Sequence, residues 1–169
     1  DPEVMYNNMM NEFKWGNAGD PDVYLDENNR RMFSNFRRLF GNLGKALIAQ
    51  GDTVRALEVV KRGMEIVPAS KMPEDFFLTG TVEVLYRAGK TEAADLLAGK
   101  IVNYSREYLE YSVSLPAEKR YGLDYSYGIN MQALLDLYNM AGKLKNDSLI
   151  GVLEPILSKY YSILYSGKQ

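Results

Sequence analysis

The sequence of 169 residues contains neither cysteine nor histidine. Disulfide bonds, thiolate zinc sites, cysteine nucleophiles and histidine general bases are therefore excluded. Any chemistry would have to use the side chains of Asp, Glu, Lys, Arg or Tyr. The lack of cysteine fits the cytoplasm and the periplasm equally well. We predict no catalytic residues, no metal site and no cofactor.

An excess of positive charge and a long apolar run are also missing. The 20 Lys and Arg residues against 22 Asp and Glu residues give a net charge of −2 and a pI near 5.3. We therefore expect no nucleic acid partner, because such a partner needs a basic face. No apolar run approaches the length of a membrane span, and no secretory signal is visible. We expect the opening Asp1-Pro2 to mark a cut inside a larger protein.

The segment from Phe40 to Pro68 carries the strongest pattern in the chain. An apolar content of 46% with 25% charged residues is typical of a folded domain. Eight residues of the segment stand at the spacing of a tetratricopeptide repeat, a helix–turn–helix unit that this segment resembles. These are Phe40, Leu43, Gly44, Leu47, Gly51, Ala56, Val60 and Pro68.

Small residues explain why this spacing favours a helix pair. Gly44 and Ala56 lack bulk, so we expect both to be buried where the two helices approach each other. Gly51 suits the left-handed turn that ends the first helix. Pro68 stops the second helix because proline cannot continue it.

A second, degenerate repeat follows at an offset of 38 residues, which sets Gly89 on Gly51 and Ala94 on Ala56. We predict an all-α fold, a tetratricopeptide-like array of antiparallel helix pairs (an α-α superhelix) with six to seven helices. The predicted single domain, 1–169, divides into an N-terminal helix and loop (1–28), two repeats (29–68 and 73–111) and a terminal helix pair (125–165). We expect the third helix to begin at Pro73 and the fifth to end at Gly142.

A set of short motifs is spread along the chain: Phe13-Lys14-Trp15-Gly16, Val23-Tyr24-Leu25-Asp26-Glu27-Asn28, Arg30-Arg31-Met32, Arg37-Arg38-Leu39-Phe40, Val67-Pro68, Met72-Pro73 with Asp75-Phe76, and Glu107-Tyr108-Leu109. With these motifs the chain resembles the soluble C-terminal part of a family of bacterial multi-spanning membrane proteins. That family is related to the transmembrane O-mannosyltransferase-like glycosyltransferases. The resemblance implies a membrane core that precedes this chain, uses a lipid-linked sugar, and places this part on the periplasmic side.

The concave face of tetratricopeptide folds is the expected ligand surface. The resemblance places ten residues there: Arg38, Gly41, Lys45, Ile48, Ala49, Phe76, Thr79, Glu83, Tyr86 and Arg87. We take Arg38, Lys45, Phe76, Glu83, Tyr86 and Arg87 as a candidate groove for an extended peptide, or a loop of the parent, with some acidic character. The alternative is a groove that the N-terminal helix or the Trp15 loop already fills.

The loop before the long helix is a second candidate site. Trp15 and Tyr24 could stack on a sugar ring, with Asp26 beside them. The acids Asp20, Asp22, Asp26 and Glu27 could form a carboxylate pair or a cation site, although the alternating spacing of a calcium loop is absent. The simpler interpretation is a buried Trp anchor, two turn residues, a cap at Asp26 and a first-turn acid.

Two further groups are open to more than one interpretation. Arg30, Arg31, Arg37 and Arg38 form pairs seven residues apart, which predicts a basic stripe that faces phosphates, an acidic partner or solvent. Many of the 13 tyrosines lie between Tyr104 and Tyr138, either as an exposed binding surface or as rings buried at helix ends.

Taken together, these patterns predict a non-catalytic protein-interaction or accessory domain of a membrane glycosyltransferase-like protein. Its partner would be a protein, a peptide or the membrane core of the parent. One alternative is a sugar-binding or catalytic accessory part of the transferase that uses the N-terminal acidic and aromatic loop. Another is a free-standing cytoplasmic tetratricopeptide adaptor.

Overall fold

The computed structural model describes residues 1–120 and 122–166, without the side chains of 117 and 164–166. The protein is 77% helix, with no strand among these residues, which confirms the all-α fold. Seven α-helices occur in this part of the chain: α1 Pro2–Asn7, α2 Glu27–Ala49, α3 Thr53–Ile66, α4 Thr79–Arg87, α5 Thr91–Ser114, α6 Asp124–Leu144 and α7 Asp147–Ser166. The chain divides into two compact units, Asp1–Ala94 and Asp95–Gln169, and the boundary between them falls in the sequence of α5.

The long helix α2 is the centre of the first unit, because α1, α3 and α4 all pack against it. Gly44 and Ala56 are both buried, as predicted. A Cβ atom on Gly44 would lie 2.9 Å from Cγ2 of Val84 and 3.0 Å from Cγ1 of Val60. Glycine at this position therefore lets α3 and α4 both approach α2 closely.

The same turn ends the first helix of each predicted repeat. Gly51 and Gly89 have φ angles of +83° and +73°, in the left-handed region that favours glycine. The amide that follows each glycine donates to the carbonyl five residues earlier, Asp52 N to Leu47 O at 2.9 Å and Lys90 N to Leu85 O at 2.8 Å. The 38-residue offset thus holds for the turn geometry as well as for the residue types.

Interior glycines set two further close contacts. A Cβ atom on Gly41 would lie 3.2 Å from the backbone of Gly80, so α2 and α4 cross with main chain against main chain. A Cβ atom on Gly63 would lie 2.7 Å from the ring of Phe40, so α3 lies directly on that ring. The prediction that Gly41 lines an open groove is wrong, because the crossing buries it.

Two predicted helix limits are wrong. The third helix does not begin at Pro73, because a 3-10 turn, Phe76–Leu78, precedes α4 and the Asp75 carboxylate caps that turn at the Phe77 amide (3.1 Å). Gly142 does not end the fifth helix, which continues to Leu144 and ends where Lys145 takes a φ of 55°. The helix α1 passes into a π-helical segment, Asn8–Glu12, and the chain is extended at Phe13.

In the second unit, α6 packs against α7. The Asn146 side chain accepts from the Leu149 amide at 3.1 Å and so caps α7. Pro155 lies inside α7. The buried side of α7 carries Leu153, Leu157 and Tyr160, at the spacing expected for one helix face.

Candidate functional site

An apolar cleft opens beside the loop that joins the π-helical segment to α2. Its volume is about 530 Å³. Tyr24 on its wall is 82% exposed, and Phe13 and Met32 are each 46% exposed. We call this feature the aromatic cleft, and its main apolar lining consists of Phe13, Trp15, Val23, Tyr24, Met32 and Phe36.

Trp15 forms the floor of the aromatic cleft and is held by three phenylalanine rings. Its ring centroid lies 4.9 Å from that of Phe36, edge to face, and 5.5 Å from that of Phe40. Phe13 meets it edge to face at 5.8 Å. These contacts agree with an anchoring role for Trp15, because aromatic pairs at such distances stabilise packing, but the residue is half-buried rather than buried.

Tyr24 is exposed, yet its backbone is fixed on both sides. The ammonium of Lys71 donates to the carbonyls of Pro21 (2.8 Å) and Val23 (2.6 Å). The Arg30 side chain donates from Nε to the carbonyl of Leu25 at 3.1 Å, and the Leu25 side chain is buried. The loop therefore presents the Tyr24 ring to solvent from a held backbone.

Arg37 anchors the other loop that takes part in this arrangement. Its side chain is buried, and its guanidinium donates to the carbonyls of Val67 (2.8 Å), Met72 (3.0 Å) and Pro73 (2.6 Å). Burial lowers the pKa of Arg37, whereas the nearby carboxylates of Asp75 and Glu74 raise it. Arginine remains charged under such opposing effects because its ordinary pKa is so high. The predicted exposed stripe is therefore wrong for Arg37.

The two anchored loops are connected through Lys71. Arg37 holds the loop from Val67 to Pro73, and Lys71 on that loop holds the loop that carries Tyr24. The residues that make these contacts lie far apart along the chain, and together they fix the loops beside the cleft.

The loop acids already serve local structure. The Asp26 carboxylate caps α2 by accepting from the Asn29 amide at 2.7 Å, and Asp20 accepts from the Asp22 amide at 2.9 Å. Glu27 pairs with Arg31 at 2.8 Å. Within residues 1–120 and 122–166, no group of three or more Asp and Glu side chains is placed to hold a metal ion.

The six groove residues differ in exposure and in the contacts that they make. Glu83 pairs with Lys45 (3.9 Å) and with Arg87 (3.4 Å), so one carboxylate contacts both cations. Arg38 is exposed and donates to the Asn35 side chain at 3.2 Å. Phe76 packs edge to face on Phe77 in the 3-10 turn, and Tyr86 is half-buried.

A more polar cleft of about 720 Å³ shares the stretch from Phe13 to Gly16 with the aromatic cleft. Charged side chains on its wall are Lys14, Asp20, Arg62 and Glu65. Arg62 pairs with Glu65 at 3.9 Å. Lys14 lines both clefts, so one ligand could contact it from either of them.

The tyrosines between Tyr104 and Tyr138 divide between the two interpretations. Tyr111 and Tyr125 are 56% and 76% exposed. Tyr127 is half-buried and donates to the carbonyl of Tyr160 at 3.3 Å, and burial raises its pKa. Tyr121 lies outside the described residues.

Comparison with family models, with curated proteins and with solved structures found no match. Among the described residues, no helix combines the length and the apolar content that a membrane span requires.

Proposed function

We propose that this chain is a non-catalytic protein-interaction or accessory domain of a membrane glycosyltransferase-like protein. In this proposal it is a tetratricopeptide-like array of antiparallel helix pairs that lies on the periplasmic side of the membrane. The family resemblance supports the parent and the location. The aromatic cleft is the observation that carries the binding role.

The aromatic cleft has the properties of a site that binds another chain. Exposed aromatic and methionine side chains are enriched where proteins meet, and they contribute most when they are held in place before binding. Tyr24 and Met32 supply such side chains. The hydrogen bonds from Lys71 to the carbonyls of Pro21 and Val23, which we call the Lys71 clip, fix the loop beside them. The volume lies within the usual range for binding pockets.

A non-catalytic role is supported by the state of the loop acids. Asp20 and Asp26 accept hydrogen bonds from backbone amides, and Glu27 pairs with Arg31. A general acid or base needs a carboxyl group that is free to exchange a proton with a substrate. Each of these acids has a structural contact that such a role would disturb.

Site-specific photo-crosslinking in the full-length parent tests the proposal. A benzophenone amino acid replaces Tyr24, and in a second sample it replaces Val54, which is 70% exposed on α3. We expect a polypeptide adduct from position 24, either with another protein or with the membrane core of the parent. Met32→Asp in the same protein should remove that adduct, because the aspartate places a charge in the apolar cleft.

The comparison of the two positions decides the result. An adduct that is equal at 24 and 54, or that persists with Met32→Asp, would contradict a binding role for the cleft. Turnover of a glycoside or lipid-linked sugar by the purified chain, lost on Asp26→Asn, would contradict the non-catalytic role.

A further inference from the structure

We infer that the aromatic cleft takes a polypeptide segment that inserts one bulky apolar side chain and pairs an adjacent carboxylate with Lys14. This inference rests on the proposed function and names the chemistry of the partner. It assigns Tyr24 and Met32 to the apolar contact and Lys14 to the ionic one.

The composition of the lining requires an apolar group at the centre of the partner. Phe13, Tyr24 and Met32 expose ring and thioether surface around a floor made by Trp15. Covering this surface removes apolar area from water, which is favourable in proportion to that area. A side chain of the size of Leu, Met or Phe supplies such area without bringing polar groups that need partners.

The charge at the cleft determines the neighbour of that side chain. Among the described residues that line the aromatic cleft, Lys14 alone carries a charge. It is exposed and forms no ion pair with a carboxylate among the residues that the structure describes. Lys14 also lines the polar cleft next to it. A partner carboxylate that reaches this position meets a cation that no internal pair neutralises.

A sugar and a membrane surface both fit less well. A sugar ring carries hydroxyl groups on most of its carbons, whereas the described lining offers few polar partners, chiefly the side chains of Lys14 and Asn29 and the Tyr24 hydroxyl. An anionic membrane surface would be repelled by Asp20 and Asp22, which are exposed on the same loop as Tyr24. A polypeptide can bring an apolar side chain into the cleft and place a single carboxylate beside Lys14, so it meets less repulsion from Asp20 and Asp22 than a surface with many anionic groups does.

Selection of a random-peptide phage library on this chain tests the inference. We expect the enriched peptides to share an aromatic or large aliphatic residue next to Asp or Glu. Met32→Asp should weaken the best peptide roughly tenfold or more, as expected for loss of an interface anchor. Lys14→Glu should weaken it roughly fivefold, within the range for an exposed ion pair that is reversed rather than removed.

Matched variants separate these effects from general changes of charge or folding. Lys90→Glu changes the net charge equally at an exposed turn, and Val54→Asp adds an acid on α3. Both should bind the selected peptide as the unchanged chain does. A lysine in place of the peptide's acid should restore binding to the Lys14→Glu variant, which a merely structural role of Lys14 would not produce.

The outcomes distinguish this inference from the proposed function. Enriched peptides that depend on Met32 but carry no acid and ignore Lys14→Glu would overturn the inference and leave the binding role intact. A selection that yields no peptide dependent on Met32 would overturn the inference. If position 24 also gives no crosslink, the proposed binding role is contradicted together with the inference. Saturable binding of a simple sugar, lost on Tyr24→Ala, would also overturn the inference.

Discussion

Arg37 joins α2 to three main-chain carbonyl groups that lie 30 to 36 residues later in the chain. Arg37→Ala would leave these acceptors without their donor, and we expect a loss of about 3 kcal/mol in the free energy of unfolding. Chemical denaturation measures this loss, and hydrogen exchange should show faster exchange in the loop from Val67 to Pro73.

The neighbouring Arg38 provides the control for that change. It is exposed and its described contact is one hydrogen bond to Asn35. Arg38→Ala should change stability by less than about 0.5 kcal/mol, as is usual for surface positions. Equal effects of the two substitutions would show that the carbonyl contacts of Arg37 do not stabilise the fold.

Gly44 tests the packing between α2 and its two neighbours. Gly44→Leu forces a side chain against Val60 and Val84, and we expect it to lower stability by roughly 1–3 kcal/mol. Gly151→Leu is the matched control, because a Cβ atom there has open space and glycine is a poor helix former. The control should raise the melting temperature or leave it unchanged, and a Gly44 variant as stable as the original would disprove the close contact.

Single residues differ in how far the sequence reveals their role. Gly44 and Ala56 could be predicted because small residues at repeat spacing indicate close helices. The burial of Arg37 could not be predicted, because an arginine among other arginines is usually exposed. Its carbonyl partners also belong to a loop that is distant in the sequence. Gly63 carried a usable signal, because glycine inside a helix is unfavourable and indicates close approach of another group, here the Phe40 ring.

At the scale of whole elements, α1 is attached to α3 through Arg55. The Arg55 guanidinium donates to both carboxylate oxygens of Glu3 (2.6 and 2.8 Å) and to Asp52 (2.6 Å). It also lies 5.1 Å from the centroid of the Tyr6 ring, whose hydroxyl donates to Glu58. These contacts tie the N-terminal helix to the start of α3.

This attachment should depend on pH. A hydrogen bond from the Arg55 guanidinium lowers the pKa of Glu3 below its ordinary 4.5. Hydrogen bonds from the Arg55 backbone amide and, to a smaller extent, from its guanidinium lower the pKa of Asp52 below its ordinary 3.8. Carboxyl groups whose pKa is lowered by folding stabilise the fold at higher pH and lose this effect as they become protonated. We expect α1 to exchange its amide hydrogens faster below about pH 4, after correction for intrinsic rates.

Arg55→Gln is the informative variant for this test. It removes the guanidinium, so the exchange of α1 should be fast at neutral pH and should change little on acidification. If the variant kept the pH dependence of the original chain, other carboxyl groups would have to be its cause.

Elements were predictable where their limits are local. The turns at Gly51 and Gly89 and the caps at Asp26 and Asn146 follow from the residues that form them. The start of α4 was missed because the backbone around Pro73 forms a loop, whose carbonyls at Met72 and Pro73 accept hydrogen bonds from Arg37. The end of α6 was missed because glycine is the residue type that usually takes the left-handed conformation at a helix end, which favoured Gly142. In the structure Lys145 takes that conformation instead.

For the molecule as a whole, the balance of charge predicts behaviour toward polyanions. The 20 cations and 22 acids leave no net positive charge. We expect no shift of duplex DNA by the purified chain at about 0.15 M salt, where weak contacts are screened. Retention on DNA that weakens steeply with added salt would contradict this expectation.

The candidate site as a whole was only partly visible in the sequence. Trp15 and Tyr24 were predicted together as one loop site, but the structure separates a packed floor from an exposed wall. The role of Lys71 depends on two loops that are about 50 residues apart, and no periodicity reports such a contact. Helix patterns predict the scaffold, whereas contacts between loops require the fold.

The Lys71 clip makes the opening of the Tyr24 loop measurable by chemistry. An ammonium whose hydrogens are held by two carbonyls should react with an acylating reagent only when those contacts break. Lys14, which is exposed, should be acylated faster than Lys71. The ratio of the two rates, read by mass spectrometry, would report how often the loop detaches. A partner that binds in the cleft should slow both acylation reactions, because it covers the amine of Lys14 and stabilises the hydrogen bonds of Lys71.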